Sequence, residues 1–124
     1  MSLEITINPE ANNSKRISLS GNLDSNTAPE LQQRIDAEIN GTVSTTIMDF
    51  NDLDFLSSAG LRVIFKTAKV MDNSGGKFLL VNLQAQIKKV FEIINALEGM
   101  NIFQNQDELD EYLTAMQNKV KEGE

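Results

Sequence analysis

The chain has 124 residues and contains neither cysteine nor histidine. Without cysteine there is no disulfide framework and no thiol chemistry; without histidine there is no Ser-His nucleophile pair, no phosphohistidine relay and no imidazole metal ligand. Positive charge is scarce as well: 11 Lys and Arg stand against 18 Asp and Glu, for a net charge of −7. A nucleic-acid backbone or an anionic membrane surface needs the opposite balance, so neither is an expected partner. Long apolar runs are also missing. No segment approaches the length of a membrane span, and the N-terminus has no basic stretch followed by an apolar core. These absences predict a cytoplasmic protein of one domain with a single hydrophobic core.

What is present reads as alternating strands and helices. Leu3, Ile5 and Ile7 alternate with polar residues, as do Ile17 and Leu19, and the turn-rich stretch from Pro9 to Ser14 between them predicts a hairpin. Gly21 is expected to end the second strand, with Asn22, Leu23 and Asp24 in a loop. Thr27-Ala28-Pro29-Glu30 has the pattern of a capping box with Pro in the first turn. The helix it opens places Ala28, Leu31, Ile35 and Ile39 on one face and stops at Asn40-Gly41. A third strand, β-branched from Thr46, is expected to end near Asp49-Phe50. A second helix follows, with Leu61, Ile64, Phe65, Ala68 and Met71 as its core face. Asn73-Ser74-Gly75-Gly76 is a turn, and Phe78 to Val81 is apolar without alternation, as in a parallel strand covered on both faces. A third helix with Ile87, Val90, Phe91 and Ile94 inward, a short strand at Ile102-Phe103 and a last amphipathic helix with Leu109, Tyr112, Leu113 and Met116 complete the pattern. Residues 118–124 are expected to fray. The order predicts an α/β domain over residues 1–117, with a mainly parallel sheet of about five strands, an antiparallel first strand and about four helices.

The stretch from Asp54 to Ile64 lies at a strand–loop–helix junction, on the edge where such folds bind partners. A serine at a helix N-cap accepts from backbone N–H groups that have no intrahelical partner, which accounts for Ser57 or Ser58 but not both. Gly60 in the first turn costs roughly 1 kcal/mol against Ala unless it provides clearance, so something is expected to approach this helix end closely. Arg62, Lys66 and Lys69 form a basic stripe, either a solvated face or a docking face. Val63 and Val70 are expected to point away from the core, as candidate docking residues or as scattered surface apolars. Asp24, on the neighbouring loop, is either a loop cap or an acceptor for a partner.

Phe55-Leu56-Ser57-Ser58-Ala59-Gly60-Leu61, with Gly21-Asn22-Leu23-Asp24 upstream and the order of elements over nearly the whole chain, resembles the STAS domain of bacterial anti-sigma factor antagonists. Two positions depart from the family's motif: Ser57 stands where an Asp often precedes the modified serine, and Ala59 where a serine often follows it. The resemblance implies a STAS-like fold and a protein that is a substrate rather than an enzyme, with no cofactor. By family register the phosphorylated residue is Ser58, with Ser57 as second choice. Partner contacts are carried to Asn22, Asp24, Ser57, Ala59, Gly60, Leu61, Arg62 and Val63. The implied partners are an ATP-binding anti-sigma factor serine kinase, bound only by the unphosphorylated form so that the sigma factor is released, and a metal-dependent serine phosphatase that restores that form.

Two other readings share the element order. A STAS domain also serves as a scaffold or regulatory subunit of a transporter complex or a stress-sensing particle. A two-component receiver would use Asp49 as phosphoacceptor, but it needs an acidic pair after the first parallel strand and a lysine after the last; Ser20 to Asp24 supplies one acid and Ile102 to Gln106 no lysine. A serine hydrolase is excluded by the absence of histidine and of a G-x-S-x-G elbow.

Overall fold

The computed structural model describes residues 2–40, 42–93, 101–103, 107 and 110–111. Its elements in chain order are β1 (Leu3–Glu10), β2 (Ser14–Leu23), α1 (Ala28–Glu38), β3 (Thr45–Leu56), α2 (Ser58–Asn73), β4 (Lys77–Val81), α3 (Ala85–Ile93) and β5 (Asn101–Phe103). The expected last helix is represented only by Asp107, Asp110 and Glu111, which are helical; its apolar residues, Ile94 of the third helix and the 118–124 tail lie outside the described residues.

The sheet has the order β1-β2-β3-β4-β5, so every strand lies beside its neighbour in sequence. β1 and β2 are antiparallel, as the hairpin pattern predicts, and the other three pairings are parallel. The hairpin turns through Asn12 and Asn13, both left-handed at φ 62° and 59°, a conformation that Asn tolerates better than most residues. Pro9 sits in β1 at the edge of the sheet, where its missing N–H leaves no ladder bond unmade.

One face of the sheet, carrying Ile17, Leu19, Met48, Phe50 and Leu80, forms the main core with α1, α2 and α3. Phe91 of α3 meets Phe50 and Phe65 edge to face, at centroid distances of 6.3 and 6.4 Å. Ile47, Leu79 and Val81 alternate to the other face and are also buried, in keeping with the unbroken apolar run of β4. On that face Asp49 accepts from Arg16 Nη1 at 3.0 Å, Asn82 Nδ2 at 3.1 Å and the N–H of Asn51 at 2.9 Å. Arg16 reaches Glu10 as well, so one guanidinium ties β1, β2 and β3 together.

Two strands are longer than expected. β2 does not end at Gly21 but continues to Leu23, through register shifts between Ser18 and Ser20 and between Gly21 and Asn22. Gly21 adopts φ 107°, and a Cβ there would run into the backbone of Ser2, whose carbonyl accepts from Asn22 N–H at 3.2 Å. β3 does not end at Asp49-Phe50 but runs to Leu56. Its pairing with β4 stops at Asp49, while the lengthened β2 accompanies it to the end. The exposed Asn51, Asp52 and Asp54 in this overhang conceal its strand character in the sequence. On its β4 side, Gln84 Nε2 donates to the carbonyls of Asn51 and Leu53 at 2.7 and 3.0 Å, replacing the strand that has stopped.

In α2, Leu61, Ile64 and Met71 are buried as expected, and Phe65 and Ala68 pack against the core half-buried. Val63 does not face away from the core. It is buried, because α1 packs beside α2 and widens the covered arc beyond the sheet-facing stripe. Val70 is exposed, as the helical spacing predicts.

Candidate functional site

The parallel pairing of β2 and β3 brings their C-terminal ends together, with Asn22 opposite Phe55 and Leu23 opposite Leu56. The chain leaves β3 at Ser57, whose N–H donates to the Leu23 carbonyl at 2.9 Å, and enters α2 at once. Ser57 is the N-cap: its backbone is extended, at φ −95° and ψ 171°, and its Oγ accepts from Gly60 N–H at 3.3 Å. That settles which of the two serines caps. Ser58 is the first residue of the helix, exposed, and its hydroxyl makes no hydrogen bond among the described residues.

Gly60 is needed for clearance, but what approaches it is the protein itself. A Cβ at Gly60 would lie 2.6 Å from Leu23 Cγ and 2.9 Å from both Leu23 Cδ2 and Leu56 Cδ1. The helix end is thereby seated on the two leucines that finish β2 and β3. Gly60, Leu61 and Val63 are buried and support the loop from beneath; they are withdrawn from the surface on which a partner was expected to find them. Arg62 is exposed and Ala59 half-buried.

The neighbouring loop is held by side chains rather than by the capping box that its spacing suggests. Thr27 occupies the N-cap of α1, but it has helical backbone angles and its hydroxyl makes no cap bond. The hydroxyl instead donates to the Asn22 carbonyl at 2.8 Å and accepts from Asp24 N–H at 2.9 Å. Asp24 does the capping: its Oδ1 accepts from Asn26 N–H at 2.8 Å and Thr27 N–H at 3.0 Å. The Thr27 N–H above all, with the Asn26 N–H and the Thr27 hydroxyl, holds the Asp24 carboxyl below the usual carboxylate range. Asp24 and Asn22 are half-buried beside Ser57, so the structure brings the two loops together as the sequence implied.

Phe55 is the surface residue that the candidate set omitted. It is 51% exposed at the end of β3, one of two large hydrophobics exposed among the described residues. The sequence pattern concealed it: in Leu53-Asp54-Phe55-Leu56 alternation from Leu53 would bury the aromatic, and the register shift between Gly21 and Asn22 turns Leu56 inward instead. Asp49 lies in the middle of β3 with its carboxylate engaged by Arg16 and Asn82, which leaves it in a structural role. Among the described residues no cluster of acidic side chains is placed to hold a metal ion, and no helix is long and apolar enough to cross a membrane.

Comparison with known proteins gives a consistent picture. BtrV of Bordetella bronchiseptica is 33% identical over 75 residues, 60% of this chain and 65% of its own length. The anti-sigma F factor antagonist of Lysinibacillus sphaericus is 30% identical over 77 residues, 61% of this chain and 66% of its own length. Both aligned spans fall just short of two thirds of the relative. Among solved structures, the anti-sigma factor antagonist SpoIIAA in its unphosphorylated form superposes with a TM-score of 0.72 at 21% identity, covering 90% of this chain and 98% of that one. The phosphorylated form of the Bacillus protein gives 0.70 at 22%, covering 88% and 99%. These superpositions establish a shared fold. The sequence profile of the STAS domain matches residues 4–109, across the sheet, the serine loop and all three described helices, and the chain belongs to the STAS domain family.

Proposed function

We propose that this protein is an anti-sigma factor antagonist that works by partner switching from the cytoplasm. In its unphosphorylated form it binds an ATP-dependent anti-sigma serine kinase and frees the sigma factor; a phosphate on Ser58 ends that binding, and a metal-dependent serine phosphatase restores it. The chain supplies the acceptor hydroxyl and no catalytic group, while nucleotide, metal and base belong to the kinase. The observation that carries this reading is the division of labour between the two serines. Ser57 spends its oxygen on the helix cap, and exposed Ser58 opens the helix with a hydroxyl that has no hydrogen-bond partner among the described residues. The names of the relatives in Bordetella and Lysinibacillus support the antagonist role, and the existence of a phosphorylated SpoIIAA supports control by phosphorylation.

A phosphoryl group brings about −1.5 to −2 charges. At the start of a helix the fold tolerates them, since the dipole and the free N–H groups favour an anion. A partner packed on the same surface would have to bury a hydrated dianion without anything built to pair it, and so lets go. Ser58, Ala59, Arg62 and Phe55 are the partner-facing residues of this reading, flanked by Asn22 and Asp24.

The test is a paired pull-down with Ser58→Ala and Ser58→Asp baits, with phosphosite mapping of the wild-type protein. An ATP-binding kinase retained by the Ala form and lost by the Asp form, together with phosphate on Ser58, is the expected result. Phosphate on Ser57 alone would move the acceptor; identical partners for both baits would make the domain a scaffold.

A further inference from the structure

Ser58 opens α2 and Arg62 follows one turn later, both exposed. At 100° per residue they lie about 40° apart around the axis, with Cβ atoms roughly 5–6 Å from each other. Helical Cα–Cβ bonds tilt toward the N-terminus, so a long side chain at position 62 covers the turn that Ser58 begins. The chain has three arginines. Arg16 is paired with Glu10 and Asp49, and Arg34 with Glu38. Arg62 has no ion pair or hydrogen bond among the described residues, and the first turn of its helix holds no acid. In a protein with a net charge of −7, an arginine one turn from the acceptor hydroxyl with no carboxylate partner among the described residues is the feature to explain.

We propose that Arg62 is the built-in counter-charge for a phosphate on Ser58: its guanidinium closes on the phosphate oxygens and favours their dianionic form. This rests on Ser58 as the acceptor. The planar fork of an arginine matches two phosphate oxygens at once, which a lysine does not. Lys66 lies two turns from Ser58, about 12 Å along the axis, too far to take over. Ser57 does not compete for the guanidinium, since its oxygen is held by Gly60 N–H. Regulation then acts twice on one surface, because phosphorylation replaces a hydroxyl and also removes an exposed cation that a partner would otherwise meet.

The experiment installs phosphoserine at position 58 of the full chain during translation and follows its second ionisation by phosphorus NMR. In Arg62→Gln that ionisation is expected about 0.3 pH unit higher than in the parent, with Arg62→Lys in between and Lys66→Gln matching the parent. The difference shrinks at about 1 M salt, where screening acts within about 3 Å. Parent and Arg62→Gln titrating together, or Lys66→Gln shifting as far as Arg62→Gln, overturns the pairing. Urea midpoints of the unphosphorylated proteins, expected to coincide, show that the variants are folded. Because the phosphate is installed without a kinase, failure here leaves the switch on Ser58 standing, and failure to find a kinase leaves the titration result standing.

Discussion

At Gly60 two residue-level effects oppose each other. Alanine would gain about 1 kcal/mol of helix propensity, yet its methyl would press on Leu23 and Leu56, both in the buried core. Overpacking a well-filled site costs about 1–3 kcal/mol, and Leu23 is contacted at Cγ, near the root of its side chain, so it cannot swing a flexible end aside. Packing therefore wins. Gly60→Ala is expected to be less stable by up to about 2 kcal/mol in urea unfolding, and an equal or higher midpoint would show that the leucines yield. The sequence showed that this glycine had a reason to be there. It did not show that the reason lay inside the molecule, because Leu23 is 37 residues away and meets Gly60 only through the register of β2 against β3.

The loop between β2 and α1 is an element whose spacing misleads. Thr27 to Glu30 reads as a capping box, but the Thr27 hydroxyl straps the loop to Asn22 and Asp24 while the Asp24 carboxylate takes the cap. Hydrogen bonds to the charged form lower the folded-state pKa of Asp24. Its contribution to stability is then complete above the ordinary carboxylate range and is lost as the pH falls through the depressed folded value. Asp24→Ala is expected to be less stable than the parent at pH 7, with the gap closing as the pH falls through the depressed folded value; Asp24→Asn, which keeps an acceptor oxygen, loses less at pH 7. Urea midpoints across that range decide it, and a gap that stays constant with pH would remove the carboxylate from the account.

For the molecule as a whole, the serine loop is positioned by the overhang of β3 beyond β4. That overhang has β2 on one side and is met by the Gln84 amide on the other. The loop after β4 is pinned a second time by Asn82, left-handed at φ 62°, which donates to Asp49. Gln84→Ala is expected to lower global stability by about 1 kcal/mol and to speed amide hydrogen exchange between Phe50 and Ser57 while leaving the β1–β2 hairpin unchanged. Unaltered exchange in that segment would show that β2 alone fixes the overhang. This effect belongs to the tertiary scale, since Gln84 is more than 30 residues from the carbonyls it serves.

The sequence by itself determined what is local or periodic. Alternation marked the hairpin, the 3.6-residue period marked the helices, and the unbroken run in β4 marked a strand covered on both faces. Absence of histidine and cysteine removed imidazole and thiol chemistry, and the serine motif located the junction. Tertiary structure decided whatever depends on pairing across distance. Register carried β2 and β3 past their apparent ends, α1 beside α2 turned Val63 inward, and the cap bond to Gly60 assigned one role to Ser57 and left Ser58 exposed. A side chain's propensity is written in its neighbours along the chain, whereas its exposure and its hydrogen-bond partner are set by segments that folding alone brings alongside.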